Sequence, residues 1–177
     1  MTELIPAWQS GRLRPVGKME VHRLGLRHKA VSVFLLAAGE MLIQKRAAGK
    51  YHTPGLWANA CCTHPLWGEA PGDCAVRRLG EELGIAGLRP EPRGRIEYRA
   101  DVGNGMTEHE VVDLFVAEVP RDIALRPDPA EVAAVRWVGF AELMGEISAA
   151  PATFTPWLRI YMRDHAAAIL GAGTAAQ

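Results

Sequence analysis

Between Pro71 and Gly84 the chain carries a complete helix signal. Pro71 suits a first helical turn, where its missing N–H would have no partner anyway, Asp73 adds negative charge near the N-terminus, and Gly84 can end the helix in a left-handed turn. Val76, Leu79 and Leu83 recur at helical spacing and predict an apolar stripe that must be buried. The flanking segments read as strands. Ala30 to Leu36 is an apolar, β-branched run, Gly39-Glu40 turns the chain, and Met41 to Arg46 continues, which predicts a hairpin. Leu56 to Cys62 reads as a short strand after the polar loop from Gly49 to Gly55. Arg95 to Ala100, Glu108 to Val119 and Val135 to Val138 read as further strands, with a proline-rich loop at 120–130. Phe140 to Ile147 predicts a short helix, and Leu158, Tyr161, Met162, His165 and Ile169 mark one amphipathic C-terminal helix. Strands on both sides of a helix make this a single mixed α/β domain over 28–170. Residues 1–27 lack a period and read as an N-terminal arm with one short strand, and 171–177 as a frayed tail.

Composition narrows the function classes. Hydrophobic residues make up 49% and charged residues 23%, a globular balance. Twenty Lys plus Arg against twenty Asp plus Glu leave no basic excess, which argues against a general nucleic-acid or membrane-surface binder. Three cysteines, with Cys61 and Cys62 adjacent, do not make a secreted disulfide framework, so a reducing cytoplasm is expected. The start has no targeting pattern, and the apolar runs are far shorter than the ~20 residues of a membrane span. The expected partner is a small molecule, and the absence of a long unmatched apolar patch favours a monomer.

The helix belongs to a longer pattern. Thr63, five residues, Glu69, seven residues and then Arg77-Arg78-Leu79-Gly80-Glu81-Glu82-Leu83-Gly84-Ile85 resembles the Nudix box, G-x5-E-x7-R-E-U-x-E-E-x-G-U with U apolar. The resemblance implies a Nudix-like α/β/α sandwich with a mixed sheet. Two positions depart from the box: Thr63 replaces its Gly, and Arg78 replaces the Glu of its Arg-Glu pair. In Nudix hydrolases that Glu helps hold the metal ions of diphosphate cleavage. A guanidinium cannot ligate a cation, although it can clamp a phosphate.

Further segments, in order, resemble the type 1 isopentenyl-diphosphate isomerases. Trp57-Ala58-Asn59-Ala60-Cys61-Cys62-Thr63-His64-Pro65 is similar to their W-T-N-[ST]-x-C-[CGS]-H-P. Tyr98-Arg99-Ala100, Glu108-His109-Glu110-Val111 and Phe154-Thr155-Pro156-Trp157 match later family segments, and His22 and His28 stand where the family has two N-terminal histidines. The resemblance runs from about Lys18 to Trp157. It implies interconversion of isopentenyl and dimethylallyl diphosphate, with Cys62 and Glu110 as an opposed acid/base pair and Tyr98 assisting Glu110. It also implies a metal site of His22, His28, His64, Glu108 and Glu110, and a Mg²⁺ at Glu82 beside the diphosphate. Lys18, Arg46, Lys50 and Arg78 would contact the phosphates, and Trp157 would wall the cavity.

The chemistry asks for such a set. Shifting an unactivated double bond adds a proton at one carbon and removes one at another, through a tertiary carbocation. The site needs an acid, a base, a poor nucleophile that tolerates the cation, and little water. Glu108 and Glu110 are two apart on a predicted strand, so both carboxylates share a face. Three imidazoles with two carboxylates suit Mn²⁺, Zn²⁺ or Mg²⁺, in that order of comfort with nitrogen. A thiol with an ordinary pKa of ~8.5 can give or take a proton, and an indole face favours a nearby cation.

Each residue also has an ordinary reading. A lone Cys62 is a packed thiol, Arg78 and Glu82 are a helix-surface ion pair, Glu108 and Glu110 protect a strand edge, and Trp157 is core. Cys61, which points away from Cys62, and Cys74 are assigned to packing; His52, His109 and His165 are assigned to the surface. Two rival functions remain beside the isomerase. A metal-dependent Nudix diphosphate hydrolase would release phosphate or pyrophosphate, and a binding module would hold metal without turnover. The N-terminal arm, which carries His22, is expected to order on binding metal or substrate.

Overall fold

The structure is a computed structural model, and it describes residues 3–171. The chain begins with an antiparallel hairpin, β1 (Leu4–Gln9) and β2 (Arg12–Gly17), turned by Ser10-Gly11 and followed by the helix α1 (Lys18–Leu24). Ile5, Ala7, Val16 and Val21 close a small core of their own, with Leu26 packed against it. The expected one-strand arm is therefore corrected: it is a hairpin and a helix. Each strand buries too few apolar residues to show a period, and Pro6 lies opposite Pro15, a residue type that pattern reading takes for a break.

The central strand is β3 (Arg27–Ala37). It runs parallel to β8 (Met106–Glu118), pairing His28 with Glu110 and Ser32 with Leu114. On its other edge it pairs antiparallel with β6 (Cys61–Thr63), setting Ser32 against Cys62. The predicted hairpin forms, but β3 and β4 (Glu40–Arg46) pair only next to the turn, at Leu36↔Met41 and Ala37↔Glu40. From there β4 pairs with β5 (Trp57–Asn59) and β9 (Val132–Gly139). The single strand expected over Leu56 to Cys62 is thus two: the chain steps at Ala60 from β4 to β3. β7 (Glu91–Gly103) completes the sheet against β8, with Tyr98 opposite Glu110.

Burial on both faces makes β3 read as one apolar run. Val31, Val33 and Leu35 pack with Cys61 and Phe115 beneath the helix α2 (Pro71–Leu83), which contributes Cys74, Ala75, Leu79 and Leu83. Val76 of the predicted stripe is only half-buried. The opposite face carries Phe34, Val112 and Leu114. They lie under α3 (Phe140–Ala149), α4 (Pro156–Asp164) and α5 (Ala166–Leu170), through Leu143, Trp157, Leu158, Tyr161 and Ile169. The result is the expected α/β/α sandwich with a mixed sheet. The predicted C-terminal helix is broken at His165, whose φ of -131° and ψ of 8° leave the helical region. The expected frayed tail lies, beyond Gly171, outside the described residues. No helix among the described residues is long and apolar enough to cross a membrane.

Gly84 ends α2 in the left-handed region, at φ 70°. A Cβ there would stand 2.7 Å from Cβ and 2.8 Å from the carbonyl oxygen of Arg126, in the loop that packs on the helix end. Gly84→Ala adds left-handed strain to this clash and should cost at least about 2 kcal/mol, read as a lower urea midpoint. An unchanged midpoint would show that the loop yields freely.

Candidate active site

The site grows out of one face of the sheet. Along β8, Val112, Leu114 and Val116 belong to the core beneath α4, so the period of two puts Glu108 and Glu110 on that face as well. Along β3, Ala30, Phe34 and Leu36 do the same for His28 and Ser32. At this end of the face the apolar core gives way to a cavity. Cys62, His64, Tyr98, Glu108, Glu110 and Trp157 line it, together with Lys18, Arg46, Lys50 and Arg78.

Three histidines and a carboxylate converge. The ligand atoms of His22, His28, His64 and Glu110 all lie within 4.8 Å of one another, and all four residues are buried. His22 Nδ1 lies 2.7 Å from the Lys18 carbonyl and His28 Nδ1 2.7 Å from that of Leu26. A carbonyl only accepts, so both Nδ1 atoms carry a proton, and in the neutral ring it is Nε2 that presents the lone pair. Those two Nε2 atoms are buried and have no hydrogen-bond partner among the described residues. Inward lone pairs beside a carboxylate fit a divalent cation, and the outer N–H bonds to backbone are the kind that orient metal-bound imidazoles. Gly25 makes the convergence possible. It ends α1 at φ 60°, letting the chain reverse so that His22 on the helix and His28 on β3 meet with ring centroids 5.0 Å apart.

Glu108 and Glu110 are joined by Tyr98, whose hydroxyl lies 2.8 Å from the first and 2.7 Å from the second. The phenol has one proton to give, so the second short contact takes a proton from a carboxyl. Glu108 is that carboxyl: burial, and then the charge of Glu110, push it well above the usual carboxylate range. Burial acts on Glu110 too, but the imidazoles of His28, 3.5 Å away, and of His64, which is hydrogen-bonded to it, outweigh that and hold Glu110 well below. His64 Nε2 lies 3.0 Å from Glu110 Oε1. Burial, and then neighbouring charges, lower His22 to about 4 and His52 to about 2, so both are neutral near pH 7.

Cys62 approaches from the other edge of β3. Its thiol donates to Asn59 Oδ1 at 2.8 Å and lies 3.5 Å from Ser32 Oγ, which in turn bonds Tyr161 at 2.8 Å. Burial pushes the thiol up, so it rests protonated. Cys61 faces away, into the core beneath α2.

The four predicted phosphate contacts also meet here. Lys18 pairs with Glu3 at 3.1 Å, Lys50 pairs with Glu131, and Arg78 reaches Glu131 at 3.4 Å. Arg46 donates to the carbonyls of His52 and Thr53 and stacks 5.2 Å from the centre of the Trp157 ring. Glu82 stands apart. Its oxygens are engaged by Arg78 at 2.6 Å and Gln44 at 3.0 Å, so the expected helix-surface pair exists but is buried.

Sequence reasoning missed several residues. Ser32, Asn59 and Tyr161 brace the thiol, and Glu131 gathers two of the cations; Asn59 lies in a quoted segment and Tyr161 on the predicted amphipathic helix, but no spacing marks any of the four for these roles. His52 is a correction. Assigned to the surface, it is 3% exposed, with Nε2 3.5 Å from Glu108 Oε1. It sits in an aperiodic loop, where only burial tells a ligand from a solvated side chain. His109 and His165 are half-buried, with His109 bonded to Glu97.

Comparison with known proteins agrees with this picture. The NUDIX domain model matches residues 26–158. An isopentenyl-diphosphate Delta-isomerase of Dinoroseobacter shibae is 63% identical over 171 residues, covering 97% of each chain. That of Cereibacter sphaeroides shows the same identity and coverage, and that of Roseobacter denitrificans is 59% identical over 171 residues, again 97% of each. Among solved structures, the MutT protein of Methanosarcina mazei superposes with a TM-score of 0.61 at 17% identity, covering 77% of this chain and 90% of that one. The MutT NUDIX hydrolase of Burkholderia pseudomallei gives 0.59 at 24%, covering 78% and 98%. These two likenesses speak to the fold alone.

The lowered histidines carry a pH dependence. A native pKa below the unfolded value means that the unfolded chain binds more protons, so stability rises with pH. For His22 the penalty is absent above pH 6.5, grows as pH falls towards 4, and is complete below that. It amounts to about 3 kcal/mol for this residue. Metal-free protein should therefore show a urea midpoint that falls steeply between pH 6.5 and 4. A flat profile across that window would contradict the buried neutral cluster.

Proposed function

The chain belongs to the Nudix family and, within it, to the isopentenyl-diphosphate Delta-isomerases, and we infer that the cavity between Cys62 and the Tyr98–Glu110 pair is where it interconverts isopentenyl diphosphate and dimethylallyl diphosphate. The observation that carries the assignment is the pair of proton-bearing groups reaching one buried cavity from opposite edges of β3. The Cys62 thiol comes from β6, and the Tyr98–Glu110 hydrogen bond spans β7 and β8.

In this reading one group gives a proton to the terminal alkene carbon while the other takes one from the carbon on the far side of the cation centre. The reverse reaction exchanges the roles. Asn59 and Ser32 orient the thiol, and Tyr98 passes a proton to or from Glu110. The cation between the two steps meets Trp157, a poor nucleophile with an electron-rich face. Burial of the lining keeps away the water that would capture it. Lys18, Arg46, Lys50 and Arg78 take the diphosphate, with Lys50 and Arg78 exchanging Glu131 for phosphate oxygens.

A divalent ion would be held by His22, His28, His64, Glu108 and Glu110, and when bound it supplies positive charge that fixes Glu110 and favours its ionised form. The donor set suits Mn²⁺ or Zn²⁺ better than Mg²⁺. The Mg²⁺ expected at Glu82 meets a carboxylate bonded through both oxygens to Arg78 and Gln44, and no step is assigned to it. The hydrolase reading loses support at the same place, because Arg78 stands where the box has a metal-binding carboxylate. One chain supplies every residue of the site, which favours action as a monomer. Free thiols at Cys61, Cys62 and Cys74 suit a reducing cytoplasm.

Incubation with isopentenyl diphosphate in D₂O tests the assignment. Native protein should give deuterated dimethylallyl diphosphate without phosphate release, and Cys62→Ala should be at least ~10²-fold slower in kcat. Equal rates would remove Cys62 from the mechanism, and phosphate release in place of isomerisation would restore the hydrolase. Lys50→Ala should act differently, raising KM by roughly tenfold with kcat little changed, as loss of uniform binding does. A fall in kcat alone would place Lys50 elsewhere.

A further inference from the structure

The geometry points to His52 as an additional metal ligand in this chain, completing one six-donor site with His22, His28, His64, Glu108 and Glu110. The inference rests on reading the histidine–carboxylate cluster as a metal site and extends it by a residue outside the family segments.

Three observations carry it. The ligand atoms of His22, His52 and Glu108 form a second convergent group, all within 4.8 Å of one another and all buried. The two groups share His22, whose Nδ1 is committed to the Lys18 carbonyl, so His22 has a single lone pair to offer. One lone pair serves one ion, and the groups are therefore halves of the same site. Tyr98 already links those halves, since its hydroxyl lies within 2.8 Å of both Glu108 and Glu110.

The loop around His52 is built to hold it there. Arg46 donates to the carbonyls of His52 and Thr53 at 3.1 and 3.2 Å. Thr53 adopts φ 45°, a strained left-handed conformation for a β-branched residue, of the kind that persists where surrounding structure enforces it. The His52 ring stacks on that of His22 at 5.5 Å and meets Trp157 edge-on at 5.8 Å. Its Nδ1 lies 3.0 Å from Thr53 Oγ1, the outer hydrogen bond that leaves Nε2 free to face the ion. Four imidazoles against two carboxylates shift the preference of the site further from Mg²⁺ and towards the transition metals.

The test titrates the metal-free full chain with Co²⁺ and with Mg²⁺ alone, following Co²⁺ by its visible absorption. His52→Phe keeps the ring and its packing without a nitrogen, and His52→Ala leaves room for added imidazole. Each variant should lower Co²⁺ affinity by about 10–100-fold and shift the visible band, with Mg²⁺ affinity changed far less. Added imidazole should restore both properties in His52→Ala. Unchanged affinity and band in folded His52→Phe would overturn the inference while leaving the five-donor site intact. Weaker binding with an unchanged band and no imidazole rescue would overturn it too, making His52 a support for Glu108. Folded native protein that binds no Co²⁺ would remove the metal site and the inference together.

Discussion

The register of the parallel pair β3–β8 is the constraint on which the site depends. It sets His28 against Glu110 and, further along, Ser32 against Leu114. β6 then adds Cys62 opposite Ser32, and β7 adds Tyr98 opposite Glu110. A slip of one residue would turn every inward side chain of β8 to the other face, carrying both carboxylates beneath α2 and Phe115 into the opposite core. The apolar residues that prevent this are the same ones that stabilise the sandwich. Precision at the site is therefore a by-product of burying Phe34, Val112 and Leu114 on one face and Val31, Val33 and Phe115 on the other.

Electrostatics in the cavity follows from how little water reaches it. The neutral imidazoles of His22 and His52, a protonated thiol and a protonated Glu108 sit around one ionised carboxylate, Glu110. At the rim the balance reverses, with Lys18, Lys50 and Arg78 each already partnered by a carboxylate. On the proposed function, a diphosphate arriving there would replace Glu131 in part, and its binding would be an exchange between anions. Arg46 is held by backbone carbonyls and the Trp157 face, which keeps its charge positioned whatever fills the cavity.

What could be read in the sequence follows from periodicity and from spacing. The period of two placed Glu108 and Glu110 on one face, and the Pro71-to-Gly84 signal located α2 with both its ends. The segment around Cys62 and His64 was legible because its order matched a family. His52 was not, because a loop has no period and the quoted segments do not include it. The N-terminal hairpin was hidden by paired prolines and by strands with one buried face of only one to three residues. The split of Leu56–Cys62 at Ala60 was illegible for another reason: both halves are apolar, and only the sheet decides which neighbour each half takes.

His22 has a position that sets it apart from the other residues of the histidine–carboxylate cluster. The matched domain begins at residue 26, and His22 precedes it, on a helix belonging to the small N-terminal unit with its own four-residue core. That unit joins the main sheet through Ala7 opposite His28 and through the packing of α1 on β8. An ion bound at the cluster would act as a rivet between this added piece and the generic scaffold, and its binding energy would appear in part as docking energy. Metal loading and the integrity of the N-terminal unit are then two readings of one equilibrium.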